Sequence, residues 1–315
     1  MKRKIIFMGS PVFAVPSLVA LRNAGHEILA VYSQPPRPAG RGGHLQKTPV
    51  HQAAEDVGLV VRTPLRLQDA EIDEILAMGA DVVCVVGYGL LLPRRLVESV
   101  VCVNVHPSAL PRWRGASPVQ HAVMFGDSVT EVCIMRLEAG MDSGPVYKRI
   151  PVAIGPEMTA GELNEIVWPL GAEGLVEVVG KIDEIEPLAQ VGEVTLAPKI
   201  NNLVKKINWR QNARDIANKI RGLSPDYAAT FELNGELCRI FKGRVWGGNG
   251  ADLGANVVVS DDKVGMIVQT SPHWVVQCGV GQLEILEIQR PGKRVMGAAE
   301  ALRGWPQVQV GGFVK

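Results

Sequence analysis

The chain has 315 residues, with 33 Lys and Arg against 32 Asp and Glu, a formal charge of +1, and 47% hydrophobic residues. That length supports two domains, each able to bury a core, and the balanced charge excludes a protein that coats nucleic acid by general basicity, so any nucleic-acid surface must be local. No stretch approaches the roughly 20 apolar residues of a membrane span, and the five cysteines, Cys84, Cys102, Cys133, Cys238 and Cys278, are too scattered for a disulfide framework or a zinc site, so a soluble, cytoplasmic protein with buried thiols is expected.

Residues 4–8 read as a first strand, since their apolar run is too short for a signal peptide. The following Gly9-Ser10-Pro11 lacks the G-x-G-x-x-G pattern, which argues against a nicotinamide site. A helical pattern at 15–24 and a strand at 28–32 come next. Residues 34–48 then carry Arg37, Arg41, His44 and Lys47 among prolines and glycines, with no carboxylate. Such a structureless stretch is either a solvated loop or an arm that seeks phosphate. Helical patterns at 50–57 and 72–77 alternate with strand-like runs at 82–86 and 101–105, which predicts a doubly wound, mostly parallel α/β sheet.

In the last of these strands Cys102, Asn104 and His106 share one face and the valines the other. The strand ends at Pro107, and the loop through Leu110 and Pro111 is stiffened by proline until Ser117-Pro118 caps a helix over 119–125. Asn104 and His106 thus stand at a strand's carboxyl end, where open parallel sheets bind ligands. Further strands are expected at 131–137 and 146–154, flanking the turn Asp142-Ser143-Gly144. Thr159, with Glu162 three residues on, caps a helix running towards 182.

The pattern loosens between 187 and 209. From 198 to 222, Lys199, Lys205, Lys206, Arg210, Arg214, Lys219 and Arg221 face only Asp215, as a solvated face or as RNA backbone contacts. Beyond it, Asn234-Gly235 between 229–233 and 236–241 is a type I′ hairpin signal, and short strands at 257–259, 265–270, 274–278 and 283–288 complete a small β-barrel. The expected division is a catalytic domain at 1–189, a basic linker at 190–208 and a barrel at 209–315.

An amide can donate to a carbonyl oxygen as it gains negative charge, and an imidazole can take a proton from an attacking amine and return it to a leaving nitrogen. Asp142 would orient that imidazole and favour its charged form. The combination of Asn104, His106 and Asp142 suits acyl transfer between nitrogens without a serine or cysteine nucleophile. Cys102 has no basic neighbour to activate it. His26, His44, His51, His121 and His273 show no ligand spacing, and no metal is expected. Trp113 reads equally as packing or as a wall of the acceptor site.

The run Asn104-Val105-His106-Pro107-Ser108-Ala109-Leu110-Pro111-Arg112-Trp113-Arg114-Gly115, with Asp142-Ser143-Gly144, resembles the signature of folate-dependent formyltransferases, and the likeness extends over nearly the whole chain. Ala109, Gly87 and Ser143 stand where that family usually has leucine, alanine and threonine, and the stretches Ser224-Pro225-Asp226 and Ile200-Asn201-Asn202 also depart from its pattern. The resemblance implies Asn104, His106 and Asp142 as the catalytic trio. It also implies a folate site lined by Ser108, Ala109, Leu110 and Pro111 with Tyr88, Gly89 and Leu90. It further implies a Rossmann-like catalytic domain and a barrel of the oligonucleotide-binding kind. The expected reaction passes a formyl group from 10-formyltetrahydrofolate, as co-substrate, to the α-amino group of methionyl initiator tRNA, with tRNA contacts at Arg37, Arg41, Lys47, Lys199, Lys205 and Lys206. A monomer is expected. The alternatives are a formyltransferase acting on an amino-sugar nucleotide or on glycinamide ribotide, and a nonenzymatic RNA-binding protein on the same scaffold.

Overall fold

The computed structural model describes residues 1–39, 43–247 and 259–315. The chain begins with β1 (Lys4–Gly9), α1 (Val15–Asn23) and β2 (Glu27–Tyr32), continues through a hairpin of β3 (Arg37–Ala39) and β4 (His44–Gln46), and then α2 (Pro49–Asp56), β5 (Val61–Arg62), α3 (Asp69–Ala77), β6 (Val82–Val86), α4 (Arg94–Ser99) and β7 (Cys102–His106). After these come α5 (Pro118–Met124), β8 (Val129–Arg136), β9 (Val146–Ala153) and α6 (Ala160–Gly180). Near-continuous apolar runs are what strands covered on both faces require. In agreement, β6 is buried at every position and β1 at all but Lys4.

Seven strands form one sheet in the order β5-β2-β1-β6-β7-β8-β9. The first five are parallel, while β8 and β9 run antiparallel. The winding reverses direction between β1 and β6, so the carboxyl ends of these strands and of the neighbouring β7 flank the crevice where a doubly wound sheet binds ligands. The expected cap of α6 is present: Glu162 N donates to Thr159 Oγ1 at 3.2 Å and Thr159 N donates to Glu162 Oε2 at 2.8 Å. Residues 34–48 differ from expectation. They hold the β3–β4 hairpin, with Arg37 opposite Gln46, so the stretch is partly ordered by backbone pairing. Arg41 lies outside the described residues.

Two compact units divide the chain, one of Met1–Pro118, Val129–Ala153 and Glu165–Ala197, the other of Val119–Ser128, Ile154–Asn164 and Pro198–Lys315. The stretch expected as a linker, 190–208, is therefore split: residues through Ala197 belong to the first unit, while Ile200 and Ile207 are buried in the core of the second. Their apolar side chains gain more from burial than a solvated linker would allow.

In the second unit α7 (Asn202–Lys205) and α8 (Ala213–Leu223) precede β10 (Ala229–Leu233), β11 (Glu236–Val245), β12 (Ile267–Gln269), β13 (Trp274–Gln277), β14 (Gln282–Gln289), β15 (Met296–Gly297) and α9 (Ala298–Arg303). The strands pair antiparallel as β10-β11-β14-β13-β12 with β15 on β14, an open half-barrel. Asn234 and Gly235 take φ of 51° and 78°, the turn expected of them. Of the strand expected at 257–259, residues 257 and 258 lie outside the described residues. Much of the basic run at 198–222 is helix α8, which buries Ala213, Ile216, Ile220 and Leu223. Lys219 donates to the Lys206 carbonyl at 3.0 Å and Arg221 to the Met158 carbonyl at 2.8 Å, and burial lowers the pKa of both. These two cations are thus committed within the unit.

All five cysteines are buried as free thiols. Burial pushes Cys102, Cys133 and Cys278 up to about 12 and Cys238 up to about 11. A thiol titration with an aromatic disulfide reagent at pH 8 is expected to find essentially no reactive cysteine in the native protein and all five after denaturation. Rapid native labelling of any one would contradict this burial.

Candidate active site

Strand β7 brings Asn104 and His106 to the same side of the sheet by its two-residue period. Asn104 lies in register between Val85 of β6 and Met135 of β8, and His106 opposite Cys133. His106 is 4% exposed, whereas Asn104 is half-buried, and among the described residues no side-chain hydrogen bond ties its amide. An amide so placed is available to a ligand oxygen.

The loop after β7 folds back on its own strand. Ser108 Oγ donates to the Arg112 carbonyl at 2.7 Å, and the Ser108 carbonyl accepts from Cys133 Sγ at 3.0 Å. Trp113, with φ of 62°, is 4% exposed and its carbonyl stands 3.0 Å from His106 Nε2. A carbonyl oxygen only accepts, so Nε2 carries the hydrogen of this bond. Nδ1 is left as the ring position that gains or loses a proton.

Nδ1 faces Asp142 Oδ2 at 3.7 Å. That is beyond hydrogen-bond length but close enough for strong attraction once the ring is charged. The same Oδ2 accepts the Gly115 backbone N–H at 2.8 Å, which fixes the carboxylate against the β7 loop. Asp142 itself takes a left-handed φ of 46°. Two residues on, a Cβ at Gly144 would stand 2.0 Å from the Arg136 carbonyl, so only glycine lets this turn close over β8.

Two residues from the far end of the first unit complete the frame, and no local pattern in the sequence marks them. Thr195 Oγ1 accepts the Trp113 N–H at 3.0 Å. Gln190 reaches the backbone of Asp142 and Gly144 and the side chain of Arg114.

The residues expected to line a folate site lie close along the chain to this constellation but are unequally open. Gly89 is exposed and Leu90 and Ala109 are half-buried, all at the carboxyl ends of β6 and β7. Tyr88 instead places its ring in the core, where burial raises its hydroxyl pKa, and its carbonyl accepts from Ser10 Oγ at 3.1 Å. Ser108, Leu110 and Pro111 are buried as well, so they shape the loop from within. Of the cations expected at tRNA, Arg37, Lys199 and Lys206 are exposed. Lys47 is paired with Glu55 at 2.5 Å, and Lys205 lies 5.9 Å from the ring of Tyr227.

The Formyl transferase family matches residues 2–179, and the family of the Formyl transferase, C-terminal domain, matches residues 199–306. The methionyl-tRNA formyltransferase of Ruegeria pomeroyi is 42% identical over 307 residues, covering 96% of this chain and 97% of that protein. That of Dinoroseobacter shibae is 43% identical over 306 residues, with 96% and 97% covered. Among solved structures, WlaRD, a sugar 3N-formyl transferase determined with dTDP and 5-N-formyl-THF, gives a TM-score of 0.65 at 18% identity, over 93% of this chain and 99% of that one. HypX from Aquifex aeolicus in complex with tetrahydrofolic acid gives 0.61 at 12%, over 96% and 47%. At such identities these structures share the fold alone. Matched by the family in both halves and by its relatives along nearly the full length, the chain belongs to the formyl transferase family, among the methionyl-tRNA formyltransferases.

Proposed function

We propose that this chain transfers the formyl group of 10-formyltetrahydrofolate to the α-amino group of methionyl initiator tRNA, in the cytoplasm and as a single chain, with Asn104, His106 and Asp142 as its catalytic residues. The observation that carries this reading is the approach of Asp142 to His106 at 3.7 Å beside an Asn104 amide with no other partner among the described residues. The co-substrate supplies a formyl carbon already bonded to nitrogen, and a half-buried carboxamide donor beside a proton-exchanging imidazole fits such a group.

Asn104 donates its N–H to the formyl oxygen, a bond that strengthens as charge builds on that oxygen. His106 takes the proton of the attacking amine at Nδ1 and delivers it to the departing nitrogen. Asp142 opposes the positive charge on the ring while that proton is held. A sulfur nucleophile has no part in this route, because the nearby thiols of Cys102 and Cys133 are held at about 12 and stay neutral near pH 7.

The named activity of relatives 42% and 43% identical favours an aminoacyl-tRNA acceptor over an amino-sugar nucleotide, since the sugar enzyme WlaRD shares the fold at only 18% identity. We assign the folate-facing part of the site to Ala109, Gly89 and Leu90 and to the backbone of the β7 loop. The exposed cations Arg37, Lys199 and Lys206 are assigned to the tRNA backbone, whose recognition by point charges is sequence-neutral and salt-sensitive.

In an assay with 10-formyltetrahydrofolate and charged initiator tRNA, the protein is expected to formylate methionine. Formylation of an amino-sugar nucleotide but not of the aminoacyl-tRNA would contradict the assignment. Asn104→Ala and His106→Ala are each expected to lower kcat by about 10²-fold or more while folate affinity changes little. Near wild-type turnover in Asn104→Ala would remove the role given to its amide. Lys199→Ala with Lys206→Ala is expected to raise KM for tRNA and to flatten the salt dependence of binding by about one unit of slope per lysine. An unchanged slope would place the tRNA elsewhere.

A further inference from the structure

Gln190 belongs to no helix or strand, yet its side chain spends its full hydrogen-bonding capacity on two separate parts of the chain. Nε2 donates to the carbonyls of Asp142 and Gly144, each at 2.8 Å. Oε1 accepts from Arg114 Nε at 3.0 Å and Nη2 at 2.7 Å. Two donors and two lone pairs are all that a carboxamide has.

The two groups it joins are the two sides of the proposed catalytic pair. On one side is the turn that carries Asp142 in a left-handed conformation, which costs a non-glycine residue about 1 kcal/mol or more and persists only where the surroundings hold it. On the other is the loop whose Trp113 carbonyl holds His106 Nε2 and whose Gly115 N–H holds Asp142 Oδ2. Five and seven residues further on, the same segment is tied to that loop by its backbone, since Arg114 N donates to the Thr195 carbonyl at 3.0 Å and Ala197 N to the Arg114 carbonyl at 2.7 Å.

We propose that Gln190 is a positioning residue of the formyl transfer: its amide bridges the Asp142 turn to Arg114 and thereby sets the gap between the Asp142 carboxylate and His106. It acts through Asp142, and the inference rests on the reading of Asp142 as the partner of His106. The amide form is required. A glutamate would keep, and strengthen, the bond to Arg114, but it would lose both donors and set a carboxylate oxygen against two carbonyl oxygens. The turn would be pushed away from the β7 loop.

The test is a double-mutant cycle in steady-state formylation of methionyl-tRNA by the full-length chain. Gln190→Glu is expected to lower kcat about tenfold or more, as small misplacements at a reacting centre do, with KM for 10-formyltetrahydrofolate changed less than about twofold. Gln190→Ala, which adds no repulsion and serves if the glutamate variant fails to fold, is expected to lower kcat in the same sense by a smaller factor. In an Asp142→Asn background either substitution is expected to cost less than about twofold, because residues that act as one unit lose their effect together. Losses that multiply in the double variants, or wild-type kcat in both Gln190 variants, would overturn the inference and leave the catalytic trio in place. Asp142→Asn with wild-type kcat would instead remove the carboxylate's role, and the inference with it.

Discussion

The site depends on one hydrogen bond, from His106 Nε2 to the carbonyl of Trp113. With Nε2 committed, the imidazole has a single position at which to exchange a proton, and that position faces Asp142. Strand and loop each contribute one half of this arrangement. The two-residue period of β7 aims the ring, and the turned backbone at Trp113 supplies the acceptor. Burial of the ring keeps water from competing for either nitrogen, and in a site of low polarity the attraction of Asp142 for a charged ring is stronger than it would be in solvent.

The sheet changes direction at β7. On one side β7 pairs with the parallel β6, whose carboxyl end opens at the reversal of winding, and on the other with the antiparallel β8. β8 runs back along β7, with Cys133 opposite His106 and Arg136 opposite Val103, so the connection from β8 to β9 leaves at the amino end of β7 and folds back to bring the Asp142 turn to His106. That folded-back connection, fixed by the Gly115 N–H on Asp142 Oδ2, is what lets residues distant in sequence share one reacting centre.

Much of this was legible in the sequence where local physics decides. The alternation of 101–105 placed Asn104 and His106 on one face, the Thr159 and Glu162 pair marked the start of α6, and Asn234-Gly235 marked the hairpin between β10 and β11. Helix α8 was not legible. Its buried Ala213, Ile216, Ile220 and Leu223 are interleaved with so many cations that the stretch reads as a solvated face or as RNA backbone contacts. The pairing of β3 with β4 was hidden because neither three-residue strand has an apolar face to reveal it. Tyr88 was expected at the folate and lies in the core, since an aromatic beside two glycines gives no sign of which way its ring turns. Gln190 and Thr195 gave no signal at all, because side chains that bond to distant backbone follow no period.

The account is tested most directly by the protonation state of the two nitrogens of His106, read from ¹⁵N long-range correlation spectra of the protein selectively labelled at histidine. The neutral ring is predicted to carry its hydrogen on Nε2, with Nδ1 showing the shift of a bare nitrogen, and to keep that form in Asn104→Ala. A neutral ring protonated at Nδ1, with Nε2 bare, would break the bond to Trp113 and contradict the account at its base.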